Sequence, residues 1–395
     1  MERVNRRQRR AFSLIGGPVE MAGDPDASAV LAALFEVDPA LARDLTHGFH
    51  SYAGRMHPSI ARGAIRRWAA PGGRILDPFC GSGTVLVEAM ADGRAAVGID
   101  ASPLAVGIAK TRTRCLGERG RAGLIEAADR IAESASERAR KRRRPEIPRW
   151  ARGETGRFAP HVALELLGLR ELVMATPEDE VGHALRMCFS SILVKFMADQ
   201  AQRIARGLPS RFFAGRVREL ADGLAALERR TPPGTPRSEI HLGDACAYPD
   251  LRAQSVHLVL SSPPYAGTYD YAQHHDVRFT WLGLPSDSLA RRQIGTRARG
   301  LGAAPRAWRD GRRRWLAEIG RALVPGAHAV LVVGDGLVGE QPEDAAAALA
   351  AEAPAADLLP VARASQTRPL RDRRLHEIFG ATPRREHIVL LRKGP

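Results

Sequence analysis

The segment Arg74-Ile-Leu-Asp-Pro-Phe-Cys-Gly-Ser-Gly-Thr84 decides the fold of this chain. It begins as a short apolar strand, turns through two closely spaced glycines and continues into Val85-Leu-Val-Glu-Ala-Met90, which has helical spacing. A second strand, Ala95-Ala-Val-Gly-Ile-Asp100, and a second helical pattern at 104–111 follow. This alternation of strand, glycine-rich turn, helix, strand and helix predicts the opening of a parallel α/β sheet.

The third strand of that sheet does not follow at once. Residues 116–144 and 160–230 predict helices, and Thr231-Pro-Pro-Gly-Thr-Pro236 predicts a linker before strand patterns resume. One α/β domain interrupted by a helical insertion is the expected organisation. Its predicted parts are an N-terminal extension (1–54), the first part of the α/β domain (55–111), the helical insertion (112–235) and the second part of the domain (236–395).

The chain is strongly basic. It has 59 Lys+Arg residues against 44 Asp+Glu, a formal net charge of +15, and only four of the basic residues are lysines. A GC-rich genome would explain the scarcity of lysine but not the excess of positive charge. Because net charge reports on partners rather than on fold, nucleic acid is the expected partner.

Other classes of protein are disfavoured by what the sequence lacks. No apolar run approaches the roughly 18 residues of a membrane span, and basic Met1–Arg10 lacks the apolar core of a signal peptide. A cytoplasmic protein that does not contact a membrane is therefore expected. The four cysteines are far apart, so neither a disulfide framework nor a metal site is predicted.

The glycine-rich segment has the features of a nucleoside site. Gly81 and Gly83 would allow a tight turn and let a ligand approach the backbone. Asp100 ends the next strand, where a carboxylate can accept hydrogen bonds from both hydroxyls of a ribose. Leu86 stands where a dinucleotide fold has its third glycine, and no phosphate-binding Gly-Lys-Ser/Thr is present. Asp77 would repel an anion and suits a cationic amine.

A second motif, Ser262-Pro-Pro-Tyr265, follows the apolar strand 256–260 and is expected at the carboxyl end of the sheet. The exocyclic amine of a nucleobase is a poor nucleophile because its lone pair is delocalised into the ring. Hydrogen bonds from that amine to Ser262 Oγ and the Pro263 carbonyl would localise the pair, while Pro263 and Pro264 restrict the backbone. Tyr265 would stack on the base.

Together the two motifs resemble those of the amino methyltransferases that act on nucleic acids with S-adenosylmethionine. The resemblance covers residues 55–110 and 236–395, and implies a class I (Rossmann-like) methyltransferase fold, an α/β fold with a mostly parallel seven-stranded sheet. It also implies S-adenosylmethionine as cofactor. The upstream Arg55-Met-His-Pro-Ser59 resembles the family's motif that closes over the methionine end.

The resemblance assigns roles to individual residues. It places Asp77 and 79–84 around the methionine portion, Asp100 on the ribose and Asp244 on the adenine amino group; a helix cap is the structural alternative for Asp244. The candidate catalytic residues are Ser262, Pro263, Pro264 and Tyr265. The candidate cofactor-binding residues are His57, Asp77, Pro78, Phe79, Cys80, Gly81, Ser82, Gly83, Thr84, Asp100 and Asp244.

The implied function is methylation of the exocyclic amine of a DNA base. Serine at position 262 is more typical of cytosine N4 enzymes than of adenine N6 enzymes in that family, so cytosine N4 is favoured. Adenine N6 methylation, RNA amino-methylation of the tRNA guanine N2 type, and a non-catalytic nucleic-acid-binding partner remain alternatives. Any restriction or defence-system subunit would be a separate chain.

Two basic segments, 138–149 and 291–314, are expected to contact phosphate; the second has nine arginines and one acid. The insertion 112–235 is the candidate for target recognition or clamping. Thr268-Tyr-Asp-Tyr271 and His274-His275 either line the base pocket or pack inward. The candidate nucleic-acid-binding residues are Arg291, Arg292, Arg297, Arg299, Arg312, Arg313 and Arg314.

Overall fold

A single eight-stranded sheet forms the centre of the protein, whose computed structural model describes residues 17–140, 147–197, 204–296, 302–370 and 373–395. Its strand order is β1-β9-β10-β6-β5-β2-β3-β4. The strands are β1 (Val19–Gly23), β2 (Arg74–Asp77), β3 (Ala95–Asp100), β4 (Glu239–Leu242), β5 (Val256–Ser261), β6 (Leu323–Gly334), β9 (Leu358–Thr367) and β10 (Arg385–Lys393). A separate hairpin pairs β7 (Gly336–Val338) with β8 (Gln341–Glu343).

The direction of the strands identifies the fold class. Strands β2 to β6 are parallel to one another, and β10 runs antiparallel between β6 and β9. Without β1, this is the mostly parallel seven-stranded sheet of the class I methyltransferase fold, so the predicted fold class is confirmed.

The eighth strand is a correction to the expected seven. β1 comes from the N-terminal extension and pairs antiparallel with β9, from Val19 opposite Gln366 to Gly23 opposite Ala362. The edge of β9 would otherwise present a row of unpaired backbone groups, and β1 satisfies them.

Helices cover both faces of the sheet. Because successive strand residues point to opposite faces, Ile75 and Leu258 pack against one helical layer, while Leu76 and Val259 pack against the other. The first layer is α1 (Pro25–Ala33), α2 (Pro58–Trp68), α3 (Thr84–Ala91) and α4 (Pro103–Arg112); the second is α12 (Pro305–Ala322) and α13 (Ala345–Glu352).

The helices that interrupt the α/β pattern form a core of their own against the outer side of α4. This core includes Leu104 and Ile108 of α4 and Trp281. The helices are α5 (Gly117–Arg140), α6 (Pro160–Met174), α7 (Glu180–Leu193) and α8 (Leu208–Arg230). Shorter helices follow later in the chain: α9 (Tyr271–His274), α10 (Asp276–Leu282), α11 (Asp287–Arg292) and α14 (Arg373–Phe379). Among the described helices, none has the length and apolar character that crossing a bilayer requires.

Candidate functional site

The predicted motifs meet at the carboxyl edge of the sheet. β2 ends at Asp77 between β3, which ends at Asp100, and β5, which ends at Ser261. The chain leaves β2 and β5 in opposite directions here, and such a switch point is where α/β sheets bind ligands. A cavity opens at this edge, and residues of both motifs line it.

Most of the predicted site residues line this cavity. Those that do are Asp77, Pro78, Phe79, Cys80, Gly81, Ser82, Thr84, Asp100, Asp244, Ser262 and Pro264. Four of the catalytic and cofactor-binding candidates are not among its lining residues: His57, Gly83, Pro263 and Tyr265. The two motifs, about 180 positions apart in sequence, therefore face one space.

The glycine-rich turn depends on backbone angles that favour glycine. Gly81 has φ 48° and Gly83 has φ 81°. A Cβ on Gly83 would also lie 2.9 Å from the Ala109 Cβ, so this position fits α3 against α4 rather than touching a ligand. The Gly81 amide donates to Asp100 Oδ2 at 2.9 Å, which ties the turn to the end of β3.

Two carboxylates, of buried Asp77 and half-buried Asp100, face the cavity without a cation. Asp77 accepts hydrogen bonds from Ser261 Oγ (2.6 Å) and the Phe79 amide (3.2 Å), and burial raises its pKa to about 7. Burial likewise raises the pKa of Asp100 to about 6, although the Ser102 and Gly81 amides lower it. Within the described part of the chain, neither forms an ion pair with an arginine, lysine or histidine. The cavity therefore suits a cationic ligand that also carries hydroxyl donors.

Two further predicted residues have identifiable surroundings. Asp244 accepts from the Cys246 amide at 2.9 Å, so it caps its own turn while it also lines the cavity. Thr84 begins α3, and its buried Oγ1 has no hydrogen-bond partner among the described residues. A buried hydroxyl without a partner is costly unless a ligand supplies one.

His57 caps α2 rather than facing the cavity. Its Nδ1 accepts from the Ser59 amide at 3.2 Å, its Nε2 is buried without a partner in the described structure, and burial lowers its pKa to about 4. The neighbouring Arg55 and Met56 are the residues of this motif that line the cavity.

Tyr265 follows β5 but is held by a residue of β10, two strands away in the sheet. Its hydroxyl donates to Glu386 Oε1 on β10 at 3.0 Å, and Glu386 forms an ion pair with Arg368 at 2.5 Å. Its ring lies so close to Gly334 that a Cβ there would be 2.5 Å from the ring. Stacking of Tyr265 on a base stays a prediction.

Two residues that the sequence did not single out shape the site. Tyr52 lines the cavity and stacks between His275, at 4.7 Å between ring centroids, and Tyr271, at 6.1 Å. Arg112 is fully buried and donates to the Ser82 carbonyl and Oγ at 3.0 and 2.8 Å, which fixes the glycine-rich turn. A lone tyrosine in a loop, or one arginine among many, has no sequence signal that separates it from its neighbours.

The structure divides the predicted phosphate-binding arginines. Arg291, Arg313 and Arg314 are exposed, and Arg292 is exposed at the rim of the cavity. Arg312 corrects the prediction because it is 4% exposed and donates to Glu343 and Glu352 at 2.8–3.0 Å. A guanidinium committed to two carboxylates in the interior is not available to phosphate. Arg297 and Arg299 lie outside the described residues, as does part of the segment 138–149.

Comparison with known proteins relates the glycine-rich part of this site to a family. Residues 46–111 match the N6/N4 methyltransferase family model, described as DNA methylase. The type II methyltransferase M.MjaII of Methanocaldococcus jannaschii is 38% identical over 87 residues, 20% of this chain and 16% of that protein. The type II methyltransferase M.MvaI of Kocuria varians is 38% identical over 74 residues, 18% of this chain and 16% of that protein. The matched region is therefore a small part of either relative.

Solved structures resemble the chain over a longer span at low identity. A SAM-dependent methyltransferase from Methanosarcina mazei covers 84% of this chain and 96% of its own, with 11% identity and a TM-score of 0.33. The rRNA methyltransferase aviRa from Streptomyces viridochromogenes covers 91% and 94%, with 15% identity and a TM-score of 0.36. The strand order, and not these low scores, identifies the fold. Residues 46–111 are thus similar to the DNA methylase family of N6 and N4 methyltransferases, and this match implies S-adenosylmethionine as cofactor.

Proposed function

We propose that this protein methylates the exocyclic amine of a DNA base with S-adenosylmethionine, with cytosine N4 favoured over adenine N6. The observation that carries the proposal is the cavity shared by Asp77, Asp100 and Ser262. The carboxylates supply a place for a cation and a ribose, and the serine supplies an acceptor for an amine hydrogen.

The residues present fit the cofactor. Asp77 would hold the ammonium of the methionine portion, Asp100 the ribose hydroxyls and Asp244 the adenine amine. The partnerless Thr84 Oγ1 and the raised pKa values of Asp77 and Asp100 are the features expected of a site completed by such a ligand. When bound, S-adenosylmethionine supplies an electrophilic methyl group.

The protein's part in the chemistry is to orient the amine. Ser262 Oγ would accept one amine hydrogen and the Pro263 carbonyl the other, which localises the nitrogen lone pair toward the methyl donor. Asp77 accepts the Ser261 hydroxyl at 2.6 Å, so the cofactor-binding turn and the Ser262 loop are held in one geometry. Such preorganisation lowers the barrier without movement of the site during the reaction.

The choice of DNA and of cytosine rests on separate grounds. The matching family is described as DNA methylase, and both curated relatives are named type II methyltransferases. Cytosine N4 is favoured because position 262 is serine rather than aspartate or asparagine, which is more typical of cytosine N4 enzymes in the resembling family. The insertion 112–235 is proposed to recognise or clamp the target, and a separate restriction or defence-system subunit remains a predicted partner.

Ser262→Ala tests the proposal. With labelled S-adenosylmethionine and unmethylated plasmid DNA, single-turnover methyl transfer should slow about tenfold or more, because the lost hydrogen bond acts mainly in the transition state. Affinity for cofactor and DNA should not change. Ser255→Ala is the matched control, since this hydroxyl lies just before β5 and donates to the Arg252 carbonyl.

Mass spectrometry of nucleosides from the product identifies the base. N4-methyldeoxycytidine is the expected product. N6-methyldeoxyadenosine would show instead that the target base is adenine. Transfer to RNA but not to DNA would favour the RNA alternative. Tight cofactor binding without methyl transfer to either nucleic acid would favour the alternative of a non-catalytic nucleic-acid-binding partner.

A further inference from the structure

A second groove adjoins the reaction cavity and carries three arginines. The two spaces share Asp244, Arg292, Gln293 and Ile294 as lining residues. Arg291 and Arg314 complete the basic lining. We infer that this groove holds the sugar–phosphate backbone of the DNA strand whose base enters the cavity, an inference that rests on the proposed function.

The three guanidiniums have no protein partner in the described part of the chain. Neither Arg291, Arg292 nor Arg314 forms an ion pair or hydrogen bond there, whereas Arg312, two positions before Arg314, is held by Glu343 and Glu352. A free guanidinium can bind phosphate without breaking an existing contact, and each phosphate contact releases condensed counterions. The positive charge of the groove is therefore available to bind a polyanion.

The residues that line the groove suit a sugar–phosphate backbone rather than a base. The sides of the groove include small residues, Ala303, Ala304, Ala307 and Gly311, and Thr296 adds a hydroxyl. Trp308 lies with them, but its ring is buried and its Nε1 donates to Glu343 at 2.7 Å, so it is not free to stack. Hydroxyls and backbone amides are common partners of phosphate oxygens alongside arginine. Asp244 is the only acid among the described lining residues of the groove.

Arg292 connects the two spaces. It lines both the cavity that contains Ser262 and the groove that contains Arg314. A nucleotide with its base at Ser262 would therefore place its own phosphate near Arg292 and continue its strand past Arg291 and Arg314. Phosphate contacts of this kind position a strand and carry no sequence information.

Exposed arginines outside the groove provide a matched control. Arg252, Arg309 and Arg392 are exposed, form no ion pair in the described part of the chain and do not line the groove. A triple glutamine variant of these residues removes as much charge as one of Arg291, Arg292 and Arg314. A general electrostatic field would be weakened equally by both variants, whereas a groove that seats the strand would be affected by only one.

The experiment measures binding of a fluorescein-labelled, mixed-sequence DNA duplex as a function of salt. The groove variant should flatten the slope of log affinity against log salt by up to about 2.7, from about 0.9 for each phosphate contact. The Arg252, Arg309 and Arg392 variant should keep the wild-type slope. Affinity for S-adenosylmethionine, measured by calorimetry, should be unchanged in both variants.

Each other outcome overturns the inference. Equal flattening in both variants would assign binding to the overall field, and an unchanged slope in the groove variant would leave its arginines to solvent. Loss of S-adenosylmethionine affinity would assign them to the cofactor. Tighter binding to an RNA duplex of the same sequence would show that RNA, and not DNA, is the occupant of the groove. None of these results depends on methyl transfer. A failure of the proposed chemistry can therefore be distinguished from a failure of this inference about the groove.

Discussion

Asp77→Asn should stabilise the ligand-free protein at high pH while it weakens cofactor binding. Asp77 is 4% exposed and lies beside Asp100 with no cation in the described structure. Burial raises its pKa from 3.8 to about 7, so folding is penalised whenever the carboxyl must ionise in the native state. Asparagine has nearly the same shape and remains neutral.

The size of the effect follows from the pKa of the native state. At about 1.4 kcal/mol per pKa unit, ionisation of Asp77 costs folding about 4 kcal/mol. Because the pKa is raised on folding, wild-type stability falls as pH rises from about 4 to about 7 and levels off above. The asparagine oxygen can still accept from Ser261, but its new N–H group lacks an acceptor, which costs about 1–3 kcal/mol at every pH. The variant should therefore be less stable than wild type near pH 4 and more stable by about 1–3 kcal/mol above pH 8.

Chemical denaturation of both ligand-free proteins at several pH values gives the difference in unfolding free energy directly. Calorimetry with S-adenosylmethionine supplies an independent measurement: wild-type affinity should increase as pH rises through about 7 and the variant's should stay low and flat. A stability difference that does not change with pH would refute the reasoning, because it would mean that Asp77 is not ionised against a penalty in the folded protein.

Two further predictions concern single side chains. Asp100→Ala should weaken S-adenosylmethionine binding by about 1–3 kcal/mol in calorimetry, because the ribose loses its acceptor and the Gly81 and Ser102 amides lose theirs; unchanged affinity would remove the ribose role. Arg312→Gln should lower the unfolding free energy by about 3–5 kcal/mol in denaturant titrations, since Glu343 and Glu352 lose their cationic partner, while Trp308 Nε1 still donates to Glu343. Arg313→Gln, its exposed neighbour, should stay within about 0.5 kcal/mol of wild type, and equal effects would contradict the buried role of Arg312.

The sequence predicted the part of the fold that repeats locally. Strands β2 and β3 and the helices after them have their own periodicity, so the amino-acid sequence alone was enough to place the motifs at strand ends. β1 could not be found in this way, because its five residues become a strand only by pairing with β9, more than 300 positions later. Pairing at such a distance leaves no pattern in the short segment itself.

The residues of the candidate site differ in the same way: some could be predicted from local sequence patterns, and others depend on tertiary packing. Asp77, Asp100 and Ser262 were predictable because parallel strands end at one edge, whereas Tyr52 acts through partners that only tertiary packing brings near. Arg312 is an intermediate case. Trp308, Trp315 and Ile319 lie four, three and seven positions from it, which is the spacing of a buried helical stripe. Periodicity of α12 could therefore have separated Arg312 from Arg313 and Arg314.

The insertion and the α/β domain share α4, and this limits what can be exchanged between related enzymes. The Gly107 carbonyl lies 3.0 Å from His183 Nε2, and a Cβ on Gly107 would lie 2.9 Å from Met187 Sδ. Leu104 and Ile108 belong to the core of the insertion although they lie on the sheet's own helix. A chimaera that replaced only the inserted helices would expose that apolar face of α4. Under the recognition role proposed for the insertion, a graft intended to change target sequence must therefore bring its own version of α4, and with it the helix that supports the glycine-rich turn.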